Sequence, residues 1–387
     1  MAIAVLYPRY DHPAIEERYA SWQTQMLLRA ADEVEGLYFY DVGQSASSAA
    51  DDIDDDHVLV ITDPLLLPSS RLAVRLREAL ASTNASAVVP VANTTQQPKQ
   101  FRPPFAPYLT LREFQETTGQ LEAQPASIET IQWDGSDPAA YLCPITLLDD
   151  SDKPLHAVLE GRDVAISATD YVHRWSSLRG QIRHDLLNIV GTDARSVLEF
   201  GCGEAPLGEA LKQRQPCRVV GIELDPHAAA IAQKRIDAVY RGDVREIVSI
   251  LNEKFDWIIG GDIVEHLDEP WSFLSELRHL AKPGGHLLLS LPNLSNASIV
   301  GDLLHGRFDY VYMGLTCVGH LRFFTKRTIE EMLTIAGWSV ERITPQDSAV
   351  TPAREDLLTR LRTAGIPFSE EDLAPSGYYV IAVNRVA

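Results

Sequence analysis

Long apolar runs are missing from this 387-residue chain. A membrane-crossing helix needs about 18 consecutive apolar residues, and no such stretch occurs, so no membrane insertion is expected. The opening residues Met1-Ala2-Ile3-Ala4-Val5-Leu6 lack a basic segment and soon meet Arg9 and Asp11, so no secretory leader is expected. Cysteine is scarce. The four cysteines stand at 143, 202, 217 and 317, without a CxxC pair, which argues against a disulfide framework or a zinc site. A reducing cytoplasm is the simplest compartment for such a chain. Basic residues are outnumbered, 34 against 54 acidic, for a net charge of −20. That balance argues against an extended nucleic-acid footprint and against an anionic membrane surface, because both call for basic patches. Internal repeats and long low-complexity segments are absent as well.

What is present suits globular domains. Hydrophobic residues make up 45% and charged residues 23%, enough apolar material for real cores. At roughly 100–200 residues per domain, the length suggests two. The acidity is uneven: residues 1–150 hold 9 basic and 22 acidic residues. Part of that excess is the run Asp51-Asp52-Ile53-Asp54-Asp55-Asp56. Like charges in a block repel and stay wet, so the run reads as a solvated loop.

The first 150 residues alternate strand-like and helix-like stretches. Residues 2–7, 36–42, 57–61 and 85–91 read as strands. Residues 13–31 read as a helix, and a second helix capped by Ser69 or Ser70 reaches Leu80. Alternation of this kind predicts a parallel, doubly wound sheet. A polar break at 149–152 precedes residues 171–190, where Trp175, Leu178, Ile182, Leu186 and Ile189 or Val190 recur at helical spacing. The expected organisation is an N-terminal α/β domain at 1–150, a linker and lead-in helix at 151–190, and a second α/β domain at 191–387. The order of elements in 1–150 faintly resembles the nucleotide-sugar half of family 2-like glycosyltransferases. The Asp-x-Asp metal motif of that family is not present in good form, since only Asp63 stands at the strand end.

The most informative stretch is Ser196-Val197-Leu198-Glu199-Phe200-Gly201-Cys202-Gly203-Glu204-Ala205, an apolar strand running into a glycine turn, with Pro206 opening a helix. Such a turn lets a ligand approach the backbone closely. A second strand at 218–223 ends in Glu223, 20 residues after Gly203. An acidic residue at that spacing can accept hydrogen bonds from both hydroxyls of a ribose. A helix from Pro226, a strand at 238–240, and Arg241-Gly242-Asp243-Val244 follow, then strands at 255–261 and 285–291.

This pattern resembles the class I S-adenosylmethionine-dependent methyltransferases over about 190–345, and with the end strand to the carboxyl terminus. Ala205 stands at the third position of the family's glycine motif. The resemblance implies a Rossmann-like seven-stranded α/β sheet with strand 378–386 inserted antiparallel. It also implies S-adenosyl-L-methionine as cofactor and S-adenosyl-L-homocysteine as product. Glu199, Gly201, Cys202 and Gly203 would line the methionine part, Glu223 the ribose with Leu224 beside it, Asp243 and Val244 the adenine, and Asp262 the sulfonium. A helix N-cap is the competing role for Asp243, and simple packing for Cys202.

Asp262-Ile263-Val264-Glu265-His266, Leu291-Pro292-Asn293, Gly306-Arg307-Phe308-Asp309-Tyr310 and Gly319-His320-Leu321-Arg322-Phe323-Phe324-Thr325 are similar together to the ubiquinone-pathway branch. They are most similar to the type associated with glycosyltransferases and glycan modification. The implied reaction is O-methylation of a sugar, glycan or small-molecule hydroxyl. A hydroxyl must lose its proton as the bond forms, and histidine is well suited to take it, which makes His266, His320 and Glu265 the catalytic candidates. The alternatives are a glycosyltransferase fused to a methyltransferase, or an enzyme similar to the metal-dependent small-RNA 2′-O-methyltransferases. In the latter, Asp262, Glu265, His266 and His320 would hold Mg²⁺ or Mn²⁺. The short side chain of Asp262 departs from that family's glutamate, so no metal is expected. The segment 295–320, with His305, Arg307, Tyr310 and Tyr312, reads as a lid or substrate wall. Tyr171 and His173 could close the same pocket. The acceptor's identity and the oligomeric state stay open at this point.

Overall fold

The computed structural model describes residues 3–8, 34–41, 43–63, 66–102, 106–149, 151–174, 180–347 and 349–385. The helix expected at 13–31, and Trp175 and Leu178, lie outside the described residues. The chain divides into two compact units. One is Met1–Ser176 with Asp309–Val318, and the other is Ser177–Phe308 with Gly319–Ala387.

The first unit is built on an eight-stranded sheet. Its strands are β1 (Ile3–Pro8), β2 (Val34–Tyr40), β3 (His57–Ile61), β4 (Leu66–Pro68), β5 (Ala87–Ala92), β6 (Ile128–Gln132), β7 (Ala140–Pro144) and β8 (Asp163–Arg174). Their order is β2-β1-β3-β7-β5-β8-β4, with β6 also pairing β8. The central strands are apolar on both faces because side chains alternate into two cores. Leu6, Val58, Val60 and Val89 enter one, with Phe114 and Leu121 of the helix Leu111–Glu122. Val5, Leu59, Ile61 and Val88 enter the other, with Leu72 and Leu76 of the helix Leu72–Ala81.

Three expectations for this half need correction. The sheet is mixed, since β7 runs antiparallel to both β3 and β5. A strand buried on both faces is apolar whichever way it runs, so its direction is invisible to an apolar pattern. The helix at 72–81 has no serine cap, and its N-cap is Arg71 at φ 60°. No helix covers 171–174, because these residues close the long strand β8, where Tyr171 and Val172 pair with Val91 and Ala92 of β5. Strand pairing across 80 residues of sequence overrides a local helical pattern. Among the described residues of the lead-in, only His184–Ile189 is helical. The acidic run is solvated as expected: Asp51, Asp52, Asp54 and Asp56 are exposed, and Ile53 anchors them to the core.

The second unit holds β9 (Ser196–Phe200), β10 (Arg218–Glu223), β11 (Ala238–Arg241), β12 (Phe255–Gly261), β13 (Ala281–Pro292), β14 (Ser339–Pro345) and β15 (Gly377–Val383). The order is β11-β10-β9-β12-β13-β15-β14. Strands β9 to β13 pair in parallel, and β15 enters antiparallel between β13 and β14. Leu198, Phe200, Val220, Ile258 and Leu289 fill one face beneath the helices Pro270–Leu277 and Lys326–Ile335. Val197, Val219, Ile259 and Leu288 fill the other beneath Pro206–Arg214. The first parallel strand, β9, is central, with connections leaving it in both directions. Its carboxyl end is therefore the switch point where open α/β sheets bind ligands.

A helical group joins that edge. The helices Ala297–Leu304 and Pro352–Thr363 meet through Ala297, Leu357 and Leu358. Asn293, just past β13, donates its amide to the carbonyls of Asp372 (2.8 Å) and Pro375 (3.0 Å). No described helix is long and apolar enough to cross a membrane.

Candidate functional site

The turn after β9 is left-handed at Gly201 (φ 69°), Gly203 (φ 56°) and Ala205 (φ 57°). Any Cβ on Gly201 would stand 2.3 Å from the Ile263 Cδ1 atom, so the turn admits no larger residue without rearrangement. Pro206 starts the helix behind it. Glu223, at the end of β10, ties this loop to the next one. It accepts from the Gly203 N–H and from the Asp225 N–H, each at 2.8 Å. A carboxylate has about four acceptor sites, so Glu223 keeps capacity for hydroxyl donors. Leu224 beside it is 59% exposed, an uncovered apolar surface at the strand end.

Glu199 lies on β9 beneath this turn and is buried. The Gly208 N–H bonds to it, yet its Oε2 has no partner among the described residues. Burial pushes its carboxyl up to about 8, and the nearby Glu223 charge adds to the rise. A buried carboxyl with an unsatisfied oxygen is a place prepared for a donor that is not part of the chain. Cys202 is packing: its buried thiol is pushed up by burial and by Glu199 and Glu223, so it stays protonated.

Asp243 caps the helix Val244–Ile250 and accepts from the Arg245 N–H at 2.9 Å. The Arg245 side chain also donates to it, at 2.9 and 2.6 Å, and holds its carboxyl below the ordinary range. Val244 packs against the second unit's core.

Asp262 follows β12 at φ 55°, a left-handed conformation that costs a non-glycine residue about 1–2 kcal/mol. Its carboxylate accepts from Ser290 Oγ (2.6 Å) and from Arg183 (2.7 Å). Arg183 also grips Asp185 at 2.8 Å, and Asp185 accepts from the Tyr379 hydroxyl at 2.8 Å. Ser290 and Tyr379 are register partners on β13 and β15. Arg183, Asp185, Ser290 and Tyr379 thus frame the sheet edge, although no sequence signal singled them out. Arg183 fell inside the stretch read as one long helix, and the other three read as ordinary strand or helix residues.

The Asp262 carboxylate is thus taken up by Arg183 and Ser290. The short 3₁₀ turn Val264–His266 presents Glu265 and His266 instead. The backbone N–H groups of Leu321 (2.8 Å) and Arg322 (3.0 Å) both donate to the Glu265 carbonyl, which docks the 319–322 loop on this turn. His266 Nδ1 is 2.9 Å from the Gly319 carbonyl. A carbonyl only accepts, so Nδ1 carries the proton and Nε2 keeps its lone pair. The rings of His266 and His320 meet edge to face, with centroids 4.9 Å apart. His320 Nε2 lies 3.9 Å from Glu265 Oε1, while Glu265 Oε2 is buried and has no partner among the described residues. Burial drives the Glu265 carboxyl well above its usual range and the His266 imidazole below its own. Glu265, His266 and His320 each bring one potential ligand atom into a group within 4.8 Å. Asp262 is not part of that group, so the four-residue set of the metal-dependent alternative is not assembled.

Tyr171 and His173 belong to the first unit. Tyr171 joins its core, and His173 bonds to Tyr108, where burial lowers its pKa to about 4. In the same unit Asp63 is taken up by Arg174 at 2.8 Å, and Arg174 also reaches Asp137 at 3.1 Å.

Residues 173–343 match the family profile described as a methyltransferase domain. That span takes in β9 to β13 and most of β14, with the glycine turn and the acidic strand end, and β15 follows it.

The second unit is a class I S-adenosylmethionine-dependent methyltransferase.

The methyltransferase is 27% identical over 190 residues to a ubiquinone biosynthesis O-methyltransferase of Cereibacter sphaeroides, covering 48% of this chain and 73% of that protein. It is 33% identical over 156 residues to the Xylella fastidiosa protein of the same description, covering 38% of this chain and 54% of that one. A solved S-adenosylmethionine-dependent methyltransferase from Archaeoglobus fulgidus overlaps 53% of this chain and 92% of its own, at 18% identity and a TM-score of 0.38. S-adenosylmethionine is the cofactor of the class, and the residues here fit it: the open glycine turn, the hydroxyl-accepting Glu223 and the unsatisfied Glu199 oxygen all lie at the carboxyl edge of the first two strands.

Proposed function

We propose that the methyltransferase transfers a methyl group to a hydroxyl of a small molecule or sugar, with Glu265, His266 and His320 on the acceptor side. The observation that carries this reading is the pair of adjoining histidines, His320 buried and His266 half-buried, with rings 4.9 Å apart. The Gly319 carbonyl holds His266 in the tautomer whose Nε2 can take a hydroxyl proton. When bound, S-adenosylmethionine supplies a methyl group on a positively charged sulfur. Glu223 is positioned to hold the ribose hydroxyls, and Glu199 offers its unsatisfied oxygen to the cofactor's amino group. Arg183 is a cation at the same edge for the cofactor's carboxylate. Burial of the acceptor side excludes water, and most of the rate then comes from positioning and a dry site. The matched relatives are O-methyltransferases, which supports oxygen as the atom methylated. We read the first unit as a companion without chemistry of its own, because Arg174 already neutralises Asp63, the carboxylate just past β3 that a nucleotide-sugar site would use.

The test is turnover with labelled S-adenosylmethionine on a panel of catechols, sugars and glycans. His266→Ala and His320→Ala should each lower kcat by about 100-fold or more, the usual worth of a general base. Neutral imidazole is the working form and burial disfavours the charged one, so activity should persist until pH falls below the ordinary histidine value of about 6.5. Normal turnover in both variants would refute the role.

The unpartnered Glu265 oxygen favours a second reading, in which Glu265, His266 and His320 hold a divalent cation. In that case chelation abolishes turnover, Mg²⁺ or Mn²⁺ restores it, and Glu265→Gln is as damaging as either histidine variant. With His266 acting as a base alone, chelators have no effect.

A further inference from the structure

Arg183 is the N-cap of the helix His184–Ile189, and Asp185 stands in that helix's first turn. Their side chains join. Arg183 Nε lies 3.0 and 3.1 Å from the two Asp185 oxygens, and Nη2 donates to Asp185 Oδ2 at 2.8 Å. Nη2 also reaches Ser290 Oγ at 3.3 Å, and Nη1 donates to Asp262 Oδ2 at 2.7 Å. A guanidinium carries five N–H groups. Four of them are taken here, and one N–H on Nη1 has no acceptor among the described residues. Gly261 lets this group lie close to β12: a Cβ there would stand 3.4 Å from Arg183 Nη1 and 3.0 Å from Leu186 Cδ1.

Tyr379 closes the group from β15. Its hydroxyl donates to Asp185 Oδ2 at 2.8 Å, the same oxygen that accepts from Arg183 Nη2. Tyr379 packs, half-buried, against the core that holds Leu186, Leu288 and Ile381. Burial, with the Asp185 carboxylate beside it, pushes its hydroxyl up to about 12, so it stays a donor at neutral pH. Burial works against ionisation of Asp185, but the hydrogen bonds from Arg183 and Tyr379 outweigh it and hold the carboxyl below its ordinary range. Asp185 is therefore an anion fixed between a hydroxyl and a guanidinium. A solvated arginine side chain samples many rotamers and loses that freedom when it binds. In this site Arg183 is ordered before any ligand arrives, and preorganisation of this kind raises affinity.

We propose that Asp185 and Tyr379 are positioning residues for the cofactor: together they hold the Arg183 guanidinium so that its remaining N–H meets the carboxylate of S-adenosylmethionine. This rests on the reading above that Arg183 is the cation for that carboxylate. The carboxylate comes on a molecule that also carries an ammonium and a sulfonium, so the two acidic neighbours of Arg183 do not repel the cofactor as a whole. The antiparallel strand β15 thereby takes part in cofactor recognition through a side chain that acts on Asp185 and Arg183 rather than on the cofactor.

Calorimetry on the full chain tests this with two ligands. One is S-adenosylhomocysteine. The other is its decarboxylated analogue, which keeps the adenosine, the sulfur and the amino group. Tyr379→Phe removes one hydroxyl, and Asp185→Glu shifts one carboxylate by a methylene; neither changes the charge. Each variant should weaken S-adenosylhomocysteine by about fivefold or more and leave the decarboxylated analogue within about twofold. A purely structural contact would weaken both ligands alike when lost, and that result overturns the proposal. Unchanged affinity for S-adenosylhomocysteine in folded Tyr379→Phe overturns it too. If Tyr379→Phe does not fold, Asp185→Glu decides by the same two affinities. Arg183→Gln separates this proposal from the reading beneath it. It should weaken S-adenosylhomocysteine by about tenfold or more and spare the analogue. Equal losses in Arg183→Gln refute the carboxylate role of Arg183, and the proposal falls with it. A selective loss in Arg183→Gln without one in Tyr379→Phe refutes the positioning alone.

Discussion

Glu199 and Glu223 do different work although both are strand-end carboxylates of one sheet. Glu223 has backbone donors on both oxygens, whereas Glu199 is buried with one oxygen empty. The raised pKa of about 8 means that Glu199 is largely protonated at pH 7 in the free protein. A cationic cofactor beside it favours the ionised form, so binding at pH 7 should release up to one proton. Calorimetry in buffers of different ionisation enthalpy reads this directly, and Glu199→Gln should abolish the release. Linkage adds a stability signature. The folded state holds the Glu199 proton more tightly than the unfolded chain, so this contribution is full below about pH 4.5 and is lost as pH rises through 8. Glu199→Gln should therefore raise the melting temperature of the cofactor-free protein at pH 8.5 and leave it nearly unchanged at pH 4.5. For Glu223→Ala, loss of one or two charge-assisted hydrogen bonds at roughly 1.5–3 kcal/mol each should weaken cofactor binding at least tenfold. Unchanged affinity in a folded variant would remove Glu223 from the ribose.

At the scale of elements, two turns carry the site. The turn after β9 is left-handed three times, and at Gly201 the backbone and the Ile263 side chain leave no room for a Cβ. Gly201→Ala should destabilise the fold by about 1–3 kcal/mol through strain and displaced Ile263, and should weaken cofactor binding as the turn shifts. A thermal melt and a calorimetric titration check both. The turn after β12 is left-handed at Asp262, and Arg183 and Ser290 stabilise it. Arg183→Ala leaves two carboxylates, Asp185 and Asp262, without their shared cation. It should loosen this turn and weaken cofactor binding, with exchange protection of β12 retained. Both turns were recognisable in sequence as candidate sites, because glycines after a strand and an acidic residue after the next are local signals. Which way Asp262 points was not, since a left-handed residue without glycine has no local signature.

At the scale of the molecule, the division into units does not follow the chain. Strand β8 carries the first sheet through Arg174, so a fragment beginning near Asp152 would keep a long apolar strand without its partners β4, β5 and β6. Such a fragment should aggregate, in the manner of unpaired strand edges. A fragment beginning near Gly180, with 309–318 replaced by a short glycine linker, should fold and bind S-adenosylhomocysteine, because every residue proposed to face the cofactor lies within it. Size-exclusion chromatography and calorimetry on the two fragments decide this.

The chain's own sequence determined the methyltransferase sheet and its cofactor edge. The strand at 196–200, the glycine turn, Glu223 and Asp243 stand close together in the chain, and their chemistry depends on local spacing. It also brought forward His266 and His320, whose rings do meet. Tertiary structure alone decided what lies between distant segments. It took Asp262 out of the histidine group by pairing it with Arg183, 79 residues earlier. It put Glu265 in that group beneath a loop 55 residues later. It turned β7 against its neighbours and gave 309–318 to the other unit. Each of these outcomes is a choice among partners far apart in sequence. A single apolar or charged residue looks the same to local pattern whichever partner it finds.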